Sequence, residues 1–293
     1  MKQRVRGEPL FRFLDVQASE VGQYPSLIDD MREGRVDGVI VRGVFSESEV
    51  DAAVRRLDHG DPPLPRTTFP GFPPESPSSP YVLGRTIVSC PADLKAYFAD
   101  AGAIRKALPA VFSEARGFEA RVEKVLGTLG GGRPVSVPEG PEGATYAPAT
   151  VRVLPDGNEI GVHVGKSFMR LPQAWHLAQS VDVREQLSYF VTLSVPESGG
   201  ELVVYGLEWG DVEAYLPRAG EASGEHVYSA SSAVAFIEAC DREAYRPGSG
   251  DLLIFDGGRY FHRVSHARGA VPRRTIGGFL SMSLDGQGIR YWS

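Results

Sequence analysis

From about residue 146 onward, hydrophobic and polar positions alternate in short runs. In the clearest of these, Leu187, Tyr189, Val191, Leu193 and Val195 share one face, and Ser188, Phe190, Thr192 and Ser194 share the other. Successive side chains of a strand point to opposite sides, so this is a strand pattern. Similar runs cover 147–154, 159–165, 187–195, 201–205, 251–255, 261–265 and 274–282. Turn-forming stretches separate them, among them Pro155-Asp156-Gly157-Asn158 and Glu197-Ser198-Gly199-Gly200. Many short strands with tight turns predict an antiparallel double-sheet jelly roll. A helix-like insert at 171–183 and a longer insertion at 207–247 interrupt the set.

The first half reads differently. Pro25 to Gly34 predicts a short helix with proline in its first turn, and Val36 to Arg42 a strand. Ser46 and Glu49 form a capping box at the start of a second helix, with Phe45 and Val50 placed as a hydrophobic staple. Residues 61–80 hold prolines at 62, 63, 65, 70, 73, 74, 77 and 80 and predict an irregular loop. Tyr81 to Val88 reads as a strand. Residues 92–130 carry helical periodicity, through Leu94, Tyr97, Phe98, Ile104, Leu108, Val111, Phe118, Val122, Val125 and Leu126. Gly130-Gly131-Gly132 ends that part. There are no internal repeats.

Composition narrows the function classes. The chain has 293 residues, 42% apolar and 23% charged, with a formal charge of −6. It lacks the basic face that sequence-independent nucleic-acid binding needs. No stretch approaches 18 apolar residues and no secretory signal is evident, so a soluble cytoplasmic protein with no membrane partner is expected. The two cysteines, Cys90 and Cys240, match no zinc spacing and read as thiols in a reducing compartment.

The candidate chemistry lies in Glu159-Ile160-Gly161-Val162-His163-Val164-Gly165 and in Phe261-His262-Arg263-Val264-Ser265. Mononuclear iron(II) oxygenases hold their metal with two histidines and one carboxylate. The carboxylate normally stands two residues after the first histidine, on the same face of a strand. Here that position is Gly165, which leaves one coordination position open, and a halide is the candidate to fill it. A His-x-Gly triplet arises by chance roughly 0.7 times in a chain of this composition, so its weight comes from context. Three features supply it. Arg273-Arg274-Thr275 follows His262 and enters a final strand, where a guanidinium can clamp the distal carboxylate of 2-oxoglutarate. Arg273 shares a face with Thr275 and is preferred. Arg274 would then point outward, and Arg274 and Arg152 remain alternatives. The Ser188 strand presents hydroxyls that would line either a polar site or the surface. Gly277-Gly278 inside the last strand suggests the close approach of another group. His59, His176, His226 and His266 have no partner spacing and read as surface residues.

With these residues the sequence resembles the free-standing iron(II)/2-oxoglutarate halogenases of cyanobacterial hapalindole- and welwitindolinone-type alkaloid pathways. The likeness runs from Phe13-Leu14-Asp15 to Tyr291-Trp292-Ser293. It is densest at Val162–Gly165, Gln186–Phe190, Gly199–Tyr205, Gly257–Ser265 and Pro272–Leu280. It implies an α+β fold with a double-stranded β-helix (jelly roll, cupin-like) core buttressed by helices. It implies one oxygenase-like domain over 1–293, with a buttress at 1–145 and a core at 146–283. It implies iron(II) on His163 and His262, a chloride or bromide beside Gly165, and 2-oxoglutarate and O2 as cosubstrates. Ser188 matches a serine that helps hold the oxidant away from the reacting carbon. Ser79, Thr86, Ile160 and Phe168 fall at positions that line the family's substrate pocket. Ser79, Thr86 and Arg85 are more polar than the family pattern there, so a substrate that is more polar, or simply different, is expected. The expected reaction replaces an unactivated aliphatic C–H by C–Cl or C–Br on a free small molecule, with no carrier protein. The alternatives are a hydroxylase or desaturase with the same cofactors, and a non-catalytic jelly-roll binding protein.

Overall fold

A computed structural model describes residues 1–5, 7–69, 78–90, 94–112, 117–212 and 231–293. Its elements run β1 (Phe13–Gln17), α1 (Leu27–Arg32), β2 (Gly38–Arg42), α2 (Glu47–His59), β3 (Arg66–Thr68), β4 (Tyr81–Leu83), α3 (Lys95–Val111), α4 (Gly117–Leu129), β5 (Val135–Ser136), β6 (Thr150–Leu154) and β7 (Ile160–His163). They continue as α5 (Gly165–Phe168), β8 (Leu187–Ser194), β9 (Leu202–Glu208), α6 (Trp209–Val212), α7 (Ser231–Glu238), β10 (Arg242–Tyr245), β11 (Leu252–Phe255), β12 (Tyr260–Val264), β13 (Arg273–Met282) and β14 (Ile289–Trp292).

Two sheets form the jelly roll. The larger has the order β1-β2-β11-β8-β13-β6-β4-β3, with β14 also on β13 and β5 on β14; the smaller has the order β10-β9-β12-β7. Alternation decides which face meets what. Leu187, Tyr189, Val191 and Leu193 of β8 pack into a core shared with Val50, Ala53 and Leu57 of α2 and with Tyr97, Ile104, Leu108, Val122 and Leu126 of α3 and α4. The opposite face of β8, with Ser188 and Phe190, looks into the barrel. The outer face of the smaller sheet is covered by the insertion, where Trp209 and Ile237 pack on Val203, Tyr205 and Phe261.

Local signals behave as their chemistry demands. Ser46 and Glu49 cap α2 reciprocally, and Gly60 ends that helix in the left-handed conformation. Gly277 and Gly278 sit where β13 changes its edge partner from β6 to β14. A Cβ at Gly277 would strike the Tyr189 carbonyl, and one at Gly278 the Trp292 carbonyl, so both glycines are required by close backbone approach.

Several expectations need correction. The helix predicted from Pro25 begins at Leu27, with Pro25 outside it. Residues 61–80 are not wholly irregular: the proline-free Arg66–Thr68 pairs with Tyr81–Leu83. Residues 70–77 lie outside the described part. The strand predicted to Val88 ends at Leu83 and gives way to a 3-10 turn at Ile87–Ser89. The insert at 171–183 is not one helix but short 3-10 turns, at Pro172–Ala174, Leu177–Gln179 and Val183–Glu185. Among the described residues no helix is long and apolar enough to cross a membrane.

Candidate active site

β7 and β12 are antiparallel neighbours, and their register sets His262 directly opposite His163. The two imidazole centroids are 4.1 Å apart. Each ring is oriented by its own backbone: His163 Nδ1 lies 2.8 Å from the Gly161 carbonyl oxygen, and His262 Nδ1 lies 2.9 Å from that of Tyr260. A carbonyl only accepts, so Nδ1 carries the proton in both rings and the lone pair is on Nε2, as a metal ligand requires. Burial, and after it the neighbouring His163, hold the His262 pKa well below the ordinary imidazole value, so the ring is neutral at pH 7. Phe255 packs edge-on against it, 4.9 Å between centroids. Among the described residues no group of three or more His, Cys, Asp or Glu side chains converges as a metal site. The donor set that fits a metal here is therefore two imidazoles, without a carboxylate.

Gly165 lines the same cavity of about 260 Å³ as both histidines. It does not share a strand with His163, as the alternation predicted: β7 ends at His163 and Gly165 opens the one-turn α5. Its N–H donates to the Gly257 carbonyl at 2.7 Å. A Cβ at 165 would lie 2.5 Å from Gln186 Nε2, 3.0 Å from Gly257 O and 3.2 Å from Gly258 Cα. The place of a third protein ligand is thus closed off by the Gln186 side chain and by the Gly257-Gly258 backbone.

The remaining walls come from the larger sheet. Ser188, Phe190, Phe279 and Arg152 line the cavity beside the histidines. On β13 and β6, Thr275 stands opposite Arg152, and Arg273 is two residues from Thr275 on the same face. Arg273 Nε donates to the Gly200 carbonyl at 2.8 Å, and its Nη1 lies 3.4 Å from Thr275 Oγ1. Desolvation inside the barrel pushes Arg152 down to about 10, and it does the same to Arg273, helped there by the charge of Arg152. Arg152 lies over the Phe190 and Phe279 rings, 4.7 and 5.8 Å from their centroids. No carboxylate pairs with it among the described residues. Two guanidinium groups and a hydroxyl are therefore neighbours on this sheet, and of the three Arg152 is the one among the described lining residues of the cavity. Arg152, an alternative to Arg273, stands opposite Thr275 and lines the cavity itself. Arg274 points the other way, as its alternation with Arg273 predicts, but it is not solvated: it is buried and pairs with Asp58 of α2 at 2.7 Å.

Thr86, Ile160 and Phe168 line the cavity. The Thr86 hydroxyl is buried with no hydrogen-bond partner among the described residues. Ser79 is buried but is not among the described lining residues. The charge of Arg85 is taken up by Asp100, 2.6 Å away. His59 and His266 are exposed, His176 is half-buried against Tyr146, and His226 lies outside the described residues. Sequence reasoning gave no role to Gln186 or to the aromatic pair Phe190 and Phe279. The alternation of β8 places Gln186 on the side of Ser188 and Phe190, which is the one signal that pointed to it.

The fold is similar to that of an N-substituted L-amino acid dioxygenase from Burkholderia ambifaria AMMD. The structure of that protein in complex with alpha-KG gives a TM-score of 0.53 at 16% identity, over 92% of this chain and 91% of that one. A second structure of that dioxygenase gives 0.55 at 16% identity, over 91% and 90%. At such identity the likeness establishes the jelly-roll fold alone. No curated protein matches the sequence. The family model described as carrier-protein-independent halogenase WelO5 matches residues 10–293. The chain belongs to that family, and is a 2-oxoglutarate-dependent non-haem iron halogenase that acts on free small molecules.

Proposed function

We propose that this halogenase replaces an unactivated aliphatic C–H by C–Cl or C–Br on a small, largely apolar molecule with one polar group, in the cytoplasm, and that the whole chain works as one domain. The observation that carries the reading is the register pair of His163 and His262 beside a third position occupied by Gly165. His163 and His262 would hold iron(II) through Nε2. Arg152, Arg273 and Thr275 would take the distal carboxylate of 2-oxoglutarate, whose charge compensates two desolvated cations. When bound, iron with 2-oxoglutarate and dioxygen supplies the oxidising power to break a C–H bond, and the position beside Gly165 admits a halide.

The chain's own part is orientation. The Ser188 hydroxyl faces the cavity close to Gly257, where it can hold a polar group away from the substrate carbon. Val82, Ile160, Phe168 and Phe279 form apolar walls that exclude water and leave the substrate few poses. The unpartnered Thr86 hydroxyl offers one hydrogen bond, which sets which end of the substrate enters first. Product selection then depends on small differences of position between halide and oxygen relative to the substrate.

The test is a screen of free small molecules with iron(II), 2-oxoglutarate and air, in chloride or in bromide. Product mass should follow the halide supplied. Oxygen insertion that ignores the halide would establish the hydroxylase instead, and absence of succinate formation with every compound would leave only a binding protein.

A further inference from the structure

Gln186 is fully buried, and neither atom of its amide has a hydrogen-bond partner among the described residues. Burying an amide without partners is costly, and a leucine or methionine would fill the same space without that cost. The amide is not placed at random. Its Nε2 stands 2.5 Å from the position of a Cβ at Gly165, so it fills the space that a side chain at residue 165 would enter. The group that satisfies it must be small, must accept a hydrogen bond and must fit beside a glycine where the protein offers no anion.

We propose that the Gln186 amide donates a hydrogen bond from Nε2 to the halide and holds it in the position beside Gly165. The assignment rests on the halide position proposed above. Gln186 is then a halide-binding residue: its N–H fits a monatomic acceptor, and its bulk excludes a side-chain carboxylate from the same place.

The experiment uses the iron(II)-loaded protein with 2-oxoglutarate, without oxygen, titrated with sodium chloride and sodium bromide. The readout is the iron-to-2-oxoglutarate charge-transfer band. The parent should show a saturable halide-dependent shift. Gln186→Leu should raise the chloride dissociation constant tenfold or more, with iron and 2-oxoglutarate affinities within twofold of the parent. Without halide it should melt at the same temperature or higher, since two orphaned polar atoms are removed. Gln186→Met, longer and more adaptable, should behave alike and covers the case in which leucine disturbs folding. Unchanged chloride affinity in both variants overturns the proposal, as does a loss that falls on 2-oxoglutarate. A parent that ignores halide altogether overturns the halide position itself, and the role of Gln186 with it.

Discussion

His163 and His262 are direct partners in one antiparallel register pair, and each donates a hydrogen bond from its Nδ1–H to the carbonyl two residues before it. The two rings thus share a tautomer, a direction and a support built from their own strands. Second partners of metal ligands alone are worth roughly 10–100-fold in affinity or activity, so loss of a ligand should cost more. His163→Ala and His262→Ala are each expected to lower bound iron and succinate formation by more than about 100-fold. Metal analysis and succinate assay check this. Full iron content in His163→Ala would remove His163 from the site.

Arg152 and Arg273 crowd two cations onto one face with Thr275. Hydrogen bonds to a charged group are worth about 1.5–3 kcal/mol each, so Arg152→Met or Arg273→Met should raise the 2-oxoglutarate requirement roughly 10–100-fold. Arg152→Met should leave the melting temperature of the ligand-free protein unchanged or higher, because a desolvated cation without a carboxylate is removed. A marked fall in ligand-free stability with no change in the 2-oxoglutarate requirement would make Arg152 a structural residue.

Gly165→Asp tests whether the third position adjoins the metal. The new Cβ meets Gln186 Nε2 and the Gly257 backbone, and overpacking of this kind costs about 1–3 kcal/mol. The single variant should therefore lose both iron affinity and stability. Gly165→Asp with Gln186→Ala has room for the carboxylate and should recover part of the iron binding, with oxygen insertion in place of halogenation. The halogenated-to-hydroxylated product ratio decides. Parent-like halogenation by either variant would move the halide away from residue 165.

Glu49 closes the capping box of α2 and pairs with Arg121. The hydrogen bond from Arg121, opposed by partial burial and aided by Ser46, holds its carboxyl down at about 2 against an ordinary 4.5. A depressed carboxylate pKa contributes stability that is present above the ordinary value and is lost as pH falls towards the folded one. The pair is one-third exposed, so the share is discounted for screening. Glu49→Ala should cost about 1–2 kcal/mol at pH 7, with the difference from the parent shrinking between pH 4.5 and 2. Denaturant melts across that range check the sign; a constant difference would assign the loss to packing.

The sequence alone determined what depends on neighbouring residues. The two-residue alternation of β8, the Ser46–Glu49 cap and the run of short strands after residue 146 are local regularities, and they survive in the structure because burial of one face enforces them. Only the tertiary structure decided what depends on pairing between distant segments. It set His163 opposite His262, brought Arg152 beside Thr275 and sent Arg274 to Asp58. It recruited Arg66–Thr68 from a proline-rich stretch into a strand by supplying Tyr81–Leu83 as a partner. It also ended β7 before Gly165 and stranded the Gln186 amide against that glycine. A hydrogen bond's absence, like a sheet's register, is a property of what lies across the fold, and no local pattern of polar and apolar residues encodes it.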